Sequence, residues 1–332
     1  MRNRPAVLPV TALLLSCTGH TRVSTPVQRL IPRGPDARIE VLDWNGPGTP
    51  VLLLPGLGNT AHVFEDFAPR LADARRVLAL TPRGFGASSP NDRGVPLDTV
   101  LADVAAALDS LGISRVVLAG NSLGGDVATF FAVRHPDRVI AVFYLDGAED
   151  RRPGAQPPPP ASWPAPPAMT SADSASDRAY QRYIERVYRP RLPLADIHAT
   201  TLFDAQGRIA GDRSAAAVTA VLVGSLSPAP FDRVTVPVLA IFPEPDSLQY
   251  DMPYWNELSG PARAAADSLQ RWLITSSREN EDSIRRMMPQ AEVVRIPHSG
   301  HLIFLLSPDE TANAIRRFLA KATPQGAGRE LP

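Results

Sequence analysis

Five segments of this chain are apolar at every position: Val51-Leu52-Leu53-Leu54, Val77-Leu78-Ala79-Leu80, Val116-Val117-Leu118-Ala119, Val139 to Leu145 and Val238 to Phe242. A strand with one face in water alternates apolar and polar residues. A strand apolar throughout must be covered on both faces. Helical spacing intervenes, most clearly in Leu97, Leu101, Val104, Leu108 and Leu111, which Gly112 closes. Buried strands alternating with helices predict an α/β fold, with a mostly parallel sheet covered on both sides. At 332 residues and 44% hydrophobic content, the chain can bury one such core and carry an appended element.

The alternation breaks after Asp146. From Arg151 to Ala168 proline dominates, including Pro157-Pro158-Pro159-Pro160, and no regular helix or strand is expected there. Residues 173–226 are expected to be helical again, with Tyr180, Tyr183, Ile184 and Val187 on one face. Residues 147–232 therefore read as a cap inserted into a core of residues 36–146 and 233–322. A closing helix is expected over 308–321 and a disordered tail over 323–332. There is no internal repeat.

At the amino terminus Arg2 and Arg4 precede an apolar stretch from Ala6 to Leu15, followed by Ser16 and Cys17. That order reads as a secretion signal over residues 1–16, too short to stay as a membrane span. Cys17 is the sole cysteine, so no internal disulfide is available to it. Leu14-Leu15-Ser16-Cys17 resembles the lipobox of bacterial lipoproteins, which implies lipidation of Cys17 and a membrane-anchored, extracytoplasmic location. Thr18 after the cysteine fits an outer-membrane destination if the host has one. Residues 17–35, rich in glycine and proline, are expected to be the tether.

Formal net charge is zero, and no basic stripe or basic-aromatic run appears, so nucleic acid is not an expected partner. Positive charge comes almost wholly from arginine, Lys321 being the single lysine. No histidine-carboxylate cluster has metal-binding spacing, and no metal or organic cofactor is expected. His62, His135 and His198 have no sequence partner and are expected in surface or capping roles.

Gly120-Asn121-Ser122-Leu123-Gly124-Gly125 sits directly behind one buried strand and ahead of a helical segment. A serine hydroxyl becomes a useful nucleophile only when held on a sharp turn beside a base, which itself needs a third group to fix its tautomer. The bare G-x-S-x-G spacing would arise by chance about 0.1 times in a chain of this composition, so the strand and helix around it carry the reading. The glycines are expected to let the backbone turn. Beyond the last two strands lie Glu244 and Asp246, and then His298 and His301. In a parallel sheet these ends share one edge with the serine. Asp146, just past the preceding strand, and Glu244 compete with Asp246 as the acid, and His298 competes with His301 as the base.

Five stations in order resemble the α/β-hydrolase superfamily: Pro55-Gly56-Leu57-Gly58, Arg83-Gly84-Phe85-Gly86-Ala87-Ser88, the serine segment, the acid loop, and Ser299-Gly300-His301 before Leu302-Ile303-Phe304. The resemblance spans roughly residues 36–322. It implies an α/β-hydrolase fold with Ser122 as nucleophile, His301 as base and then acid, and Asp246 as the orienting carboxylate. The backbone N–H groups of Leu57 and Leu123 would form the oxyanion hole. Three positions depart from the pattern: Pro55 stands where a histidine is usual, Thr81 where an aspartate often opens the arginine loop, and Pro243 where a glycine is common.

The resulting expectation is a serine hydrolase acting on a small carboxylic ester through an acyl-enzyme. The same triad could act on lactones, carbon-carbon bonds or N-terminal peptide bonds, and the rival class is a non-catalytic binding lipoprotein on a hydrolase scaffold. Serine at the elbow argues against haloalkane dehalogenase and epoxide hydrolase chemistry, where the nucleophile is a carboxylate. Tyr254 and Trp255, close to Asp246, and Tyr180 and Tyr183 in the cap are candidate pocket residues. Trp163, Tyr188 and Phe203 are further aromatic candidates.

Overall fold

A computed structural model describes residues 25–322 except 74, 91–92, 162, 215, 245–248 and 250. The signal segment, Cys17, Asp246 and the 323–332 tail therefore lie outside the described residues. The chain runs β1 (Val27–Pro32), β2 (Arg38–Asp43), β3 (Val51–Leu54), α1 (Pro69–Ala72), β4 (Val77–Thr81), α2 (Leu97–Ser110), β5 (Val116–Asn121), α3 (Leu123–Arg134) and β6 (Val139–Leu145). The insertion follows, with α4 (Asp177–Tyr188), α5 (Leu194–Thr200), β7 (Thr201–Phe203), β8 (Ile209–Asp212) and α6 (Ala216–Gly224). Then come β9 (Val238–Pro243), α7 (Gly260–Met287), β10 (Ala291–Ile296), α8 (Ile303–Leu306) and α9 (Pro308–Ala322).

Eight strands form one sheet in the order β1-β2-β4-β3-β5-β6-β9-β10. Pairing is antiparallel from β1 to β2 and from β2 to β4, and parallel across the rest. The wholly apolar strands are its centre, and their alternate residues feed two cores. Leu52, Leu54, Val116 and Leu118 join α2, α3 and Phe231 on one face. Val51, Leu53, Val117 and Ala119 join Phe64, Phe67, Phe304 and the Ile315, Phe318 and Leu319 stripe of α9 on the other.

Three elements differ from expectation. Val27–Pro32, within the expected tether, is a strand whose six residues all pair with β2. Its side chains are mostly exposed, as on an edge, so its composition carries little core signal. Within the insertion, β7 and β8 form a small hairpin between helices. The 28-residue α7 buries only a few residues, among them Ala266, Leu269 and Ile284, leaving no wide apolar stripe to mark it.

The proline-rich segment has no regular structure, yet it is fixed to the body. Trp272 Nε1–H donates to the Pro157 carbonyl at 2.9 Å and the Tyr183 hydroxyl donates to that of Pro167 at 3.0 Å. Its root is held by Asp150, which accepts from Arg152 at 2.8 and 2.7 Å, while the Asp150 backbone N–H donates to Asn280 Oδ1 at 2.8 Å. The Arg152 guanidinium beside Asp150 holds its carboxyl down at about 2 despite partial burial.

Candidate active site

Ser122 stands at the junction of β5 and α3 with φ 49° and ψ −123°. For a residue with a side chain this region costs on the order of 1–3 kcal/mol and persists only where packing enforces it. The enforcement comes from carbonyl groups at the strand ends. A Cβ on Gly124 would strike the Leu54 carbonyl oxygen, and one on Gly125 the carbonyl oxygen of Gly147. The flanking glycines thus allow close approach, while Ser122 itself takes the positive φ; neither Gly120 nor Gly124 has one.

The Pro55-Gly56-Leu57-Gly58 turn lies against this elbow. A Cβ at Gly56 would come within 3.2 Å of Ser122 Cβ and 3.0 Å of Asn121 Oδ1. Leu123 is the first residue of α3, where an N–H has no intrahelical acceptor, and the neighbouring turn carries Leu57. The cap anchors the continuation of that turn: Asp196 on α5 accepts from Thr60 N at 3.0 Å, Thr60 Oγ1 at 2.6 Å and Asn59 Nδ2 at 3.1 Å.

Behind the turn, His62 bridges Glu65 and Glu40, at 2.6 Å from Nδ1 and 3.1 Å from Nε2. Glu40 also accepts from Thr81 Oγ1 at 2.7 Å, and Thr81 Oγ1 accepts from Ala61 N at 2.9 Å. Thr81, which departs from the family pattern, is thereby a relay between this cluster and the backbone after the oxyanion turn. Burial alone would lower the His62 ring, but its two carboxylate partners raise it to about 9. Burial alone would raise Glu40, but hydrogen bonds from His62, Thr81 and Gln28 bring it down to about 2. His62 therefore has partners after all, one of them 22 residues away. His198 pairs with Asp177 at 2.9 Å and His135 packs on Phe131, as surface roles require.

His301 follows β10, and its Nδ1 lies 2.7 Å from Asp146 Oδ2. Asp146 is the residue immediately after β6, with φ 51°. Asp146, one of the three competing acids, is thus the carboxylate that meets His301 Nδ1 among the described residues, and Asp246 lies outside them. Glu244, the other competing acid, faces Arg295 at 3.7 Å. His298 sits in the preceding turn with φ 56°. The His301 side chain is 53% exposed, so the surrounding protein pulls its ring down only in part, and the hydrogen bond and charge of Asp146 outweigh that, leaving the ring above its ordinary value.

Two residues of this site carry no motif signal. Asn121 donates from Nδ2 to the Leu145 carbonyl at 2.7 Å and the His301 carbonyl at 3.2 Å, tying the β5, β6 and β10 ends together next to Ser122. Asp251 accepts the His301 backbone N–H at 3.0 Å. Burial pushes its carboxyl up, and the neighbouring Asp146 charge adds to that, against the His301 hydrogen bond.

A cavity of about 680 Å³ opens beside His301, Asp146 and Ser299, walled by the proline-rich segment, the loop after β9 and the first half of α7. Tyr254, Trp163 and Tyr188 line it, as does Trp272. Trp255, Tyr180, Tyr183 and Phe203 do not. Trp255 turns into a small cluster with Leu258 and Leu269 and lies under Arg263, Tyr180 and Tyr183 stack on each other, and Phe203 meets His198 edge-on.

A family model described as alpha/beta hydrolase fold matches residues 49–196. A putative non-heme haloperoxidase of Mycobacterium phage D29 is 36% identical over 104 residues, 31% of this chain and 37% of that protein. The chain thus spans little more than a third of that relative. The sn-1-specific diacylglycerol lipase ABHD11 of Xenopus tropicalis is 25% identical over 92% of this chain and 87% of its own. Among solved structures, E-2-(acetamidomethylene)succinate hydrolase superposes with a TM-score of 0.62 at 21% identity, covering 89% of this chain and 99% of the other.

Proposed function

We propose, for a chain that belongs to the α/β-hydrolase superfamily, a serine hydrolase that cleaves carboxylic esters through a Ser122-His301-Asp146 triad. The observation that carries this reading is the 2.7 Å bond from His301 Nδ1 to Asp146, on the sheet edge that also holds Ser122 at a strained elbow. In the first half-reaction Ser122 Oγ bonds to the ester carbonyl carbon while its proton passes to His301 Nε2. The carbonyl oxygen becomes an oxyanion, stabilised by the Leu57 and Leu123 N–H groups. Collapse breaks the bond to the alcohol, which leaves with the proton from Nε2, and Ser122 remains acylated. Water then gives a proton to Nε2 as it attacks the acyl carbon, and collapse of the second oxyanion breaks the bond to Ser122 Oγ, which takes the proton back from Nε2 as the carboxylic acid departs. Asp146 fixes the tautomer with Nδ1–H and steadies the imidazolium that forms twice per cycle.

A panel of chromogenic esters of increasing acyl length, with a lactone and an aminoacyl anilide, tests the reading, with Ser122→Ala as control. Ester turnover that vanishes in the variant is expected. Turnover equal in the variant, or none by a folded wild type on any ester, would overturn it. The Cys17 anchor belongs to the same proposal: incorporation of a palmitate analogue should depend on Cys17 and be lost in Cys17→Ser.

A further inference from the structure

The cavity beside His301 has an unbalanced chemistry. Among the described residues that line it are Asp146, Glu149 and Asp251, and no arginine or lysine. Arg151 pairs with Glu149 at 2.7 Å and also with Asp126, and Asp146 is engaged by His301; Asp251 accepts the His301 backbone N–H at 3.0 Å, and the charges of His301 and Arg189 act on it against the repulsion of Asp146. The Asp146 charge raises the cost of ionising Asp251, a repulsion that a cation placed between them would relieve.

The remaining wall combines rings that suit a cation with the neutral polar side chains Gln156, Gln270, Ser276, Ser277 and Asn280. Trp163 and Trp272 bring their ring centroids within 6.1 Å of each other, and Tyr188 and Tyr254 contribute two more aromatic side chains. Ring faces attract an organic cation, most strongly when it is taken out of water. Pro164, Pro166 and Pro243 line the cavity and have no N–H, so these positions supply no backbone donor to a carboxylate. Ser299 Oγ, buried at the His301 end, has no hydrogen-bond partner among the described residues and marks where a polar group of a ligand would sit. The volume of about 680 Å³ is that of a small-molecule site.

We propose that this cavity receives an organic ammonium group of the substrate, held among the Trp163, Trp272, Tyr188 and Tyr254 side chains and against the Asp251 carboxylate. The assignment to a substrate rests on the serine-hydrolase reading above; the assignment of the cavity to an ammonium group does not. An ester of a quaternary amino alcohol fits it, whereas a monoester of a dicarboxylic acid would bring its free carboxylate against Asp251.

Binding to the Ser122→Ala protein separates the two. Benzyltrimethylammonium, its uncharged isostere neopentylbenzene and the phenylacetate anion would be titrated by calorimetry and by quenching of tryptophan fluorescence. The cation should bind roughly ten-fold more tightly than the isostere, as cation-π attraction implies, and phenylacetate more weakly than both. Trp272→Leu should weaken the cation. Asp251→Asn should weaken it while leaving the isostere's affinity unchanged, which also guards against a Trp272 variant that does not fold. Equal binding of cation and isostere, preference for phenylacetate, or cation binding indifferent to both variants would overturn the proposal. With wild-type enzyme, a choline ester should exceed the 3,3-dimethylbutyl ester of the same acid in kcat/KM by a similar factor. If the cation binds as expected but no ester is turned over, the hydrolase reading fails and the cavity assignment stands.

Discussion

Replacing His62 with glutamine tests whether the ion cluster behind the oxyanion turn stabilises the fold. His62 is 18% exposed and is held between Glu65 and the fully buried Glu40. Its ring rises from 6.5 to about 9 on folding. Because the folded value lies above the unfolded one, the contribution is complete below about pH 6.5 and disappears as pH rises through about 9. Linkage gives about 3 kcal/mol at low pH, about 2–3 kcal/mol at pH 7 and almost nothing by about pH 10. The depressed value of Glu40 describes the same contact from its other side and is not added. His62→Gln should therefore lower the urea-unfolding free energy by about 2–3 kcal/mol at pH 7, with the gap to wild type closing by about pH 10. Urea titrations across that range, with unchanged m-values, read this directly. An undiminished gap at about pH 10 would show that His62 acts by packing, and would refute the charge argument.

The other expectations concern the site. Asp146→Asn should lower kcat by about 10³–10⁴-fold with the fold intact, while Asp246→Asn stays within about three-fold of wild type; the reverse ranking would return the acid role to Asp246. Since His301 must be neutral to accept a proton and its folded value is raised, the acid limb of kcat/KM should lie above the free imidazole value of about 6.5. A limb below about 6 would contradict the Asp146 contact. Asn121→Ala removes one buried and one partly buried hydrogen bond and should cost about 1–3 kcal/mol of stability, and kcat should fall with KM little changed. An unchanged kcat would mean that Asn121 does not position the triad.

The central strands were legible because a residue run buried on both faces can be nothing polar, and the Ser122 segment because a strand must stop and a helix start within one turn. The edge strand Val27–Pro32 and helix α7 were not, since most of their surface faces water and their partners are far away in sequence. The acid shows the same limit. Asp146 and Asp246 each follow, in sequence, a strand of the same sheet edge, and spacing along the chain does not say which carboxylate reaches His301; the contact seen among the described residues, that of Asp146, comes from the strand order and the loop after β10. Asn121 was invisible as a tie because its acceptors are backbone carbonyls 24 and 180 residues away. Tyr254 was found as a wall of the cavity by proximity to the acid loop, whereas its neighbour Trp255 points into the loop's own packing.

The central claim is that Ser122 is an activated nucleophile. Incubating the folded protein with a fluorophosphonate and locating the adduct by peptide mass spectrometry tests it most directly. A single stoichiometric adduct on Ser122 is expected, absent in Ser122→Ala and formed far more slowly in Asp146→Asn. A folded wild type that stays unlabelled, or one labelled at another residue, would contradict it.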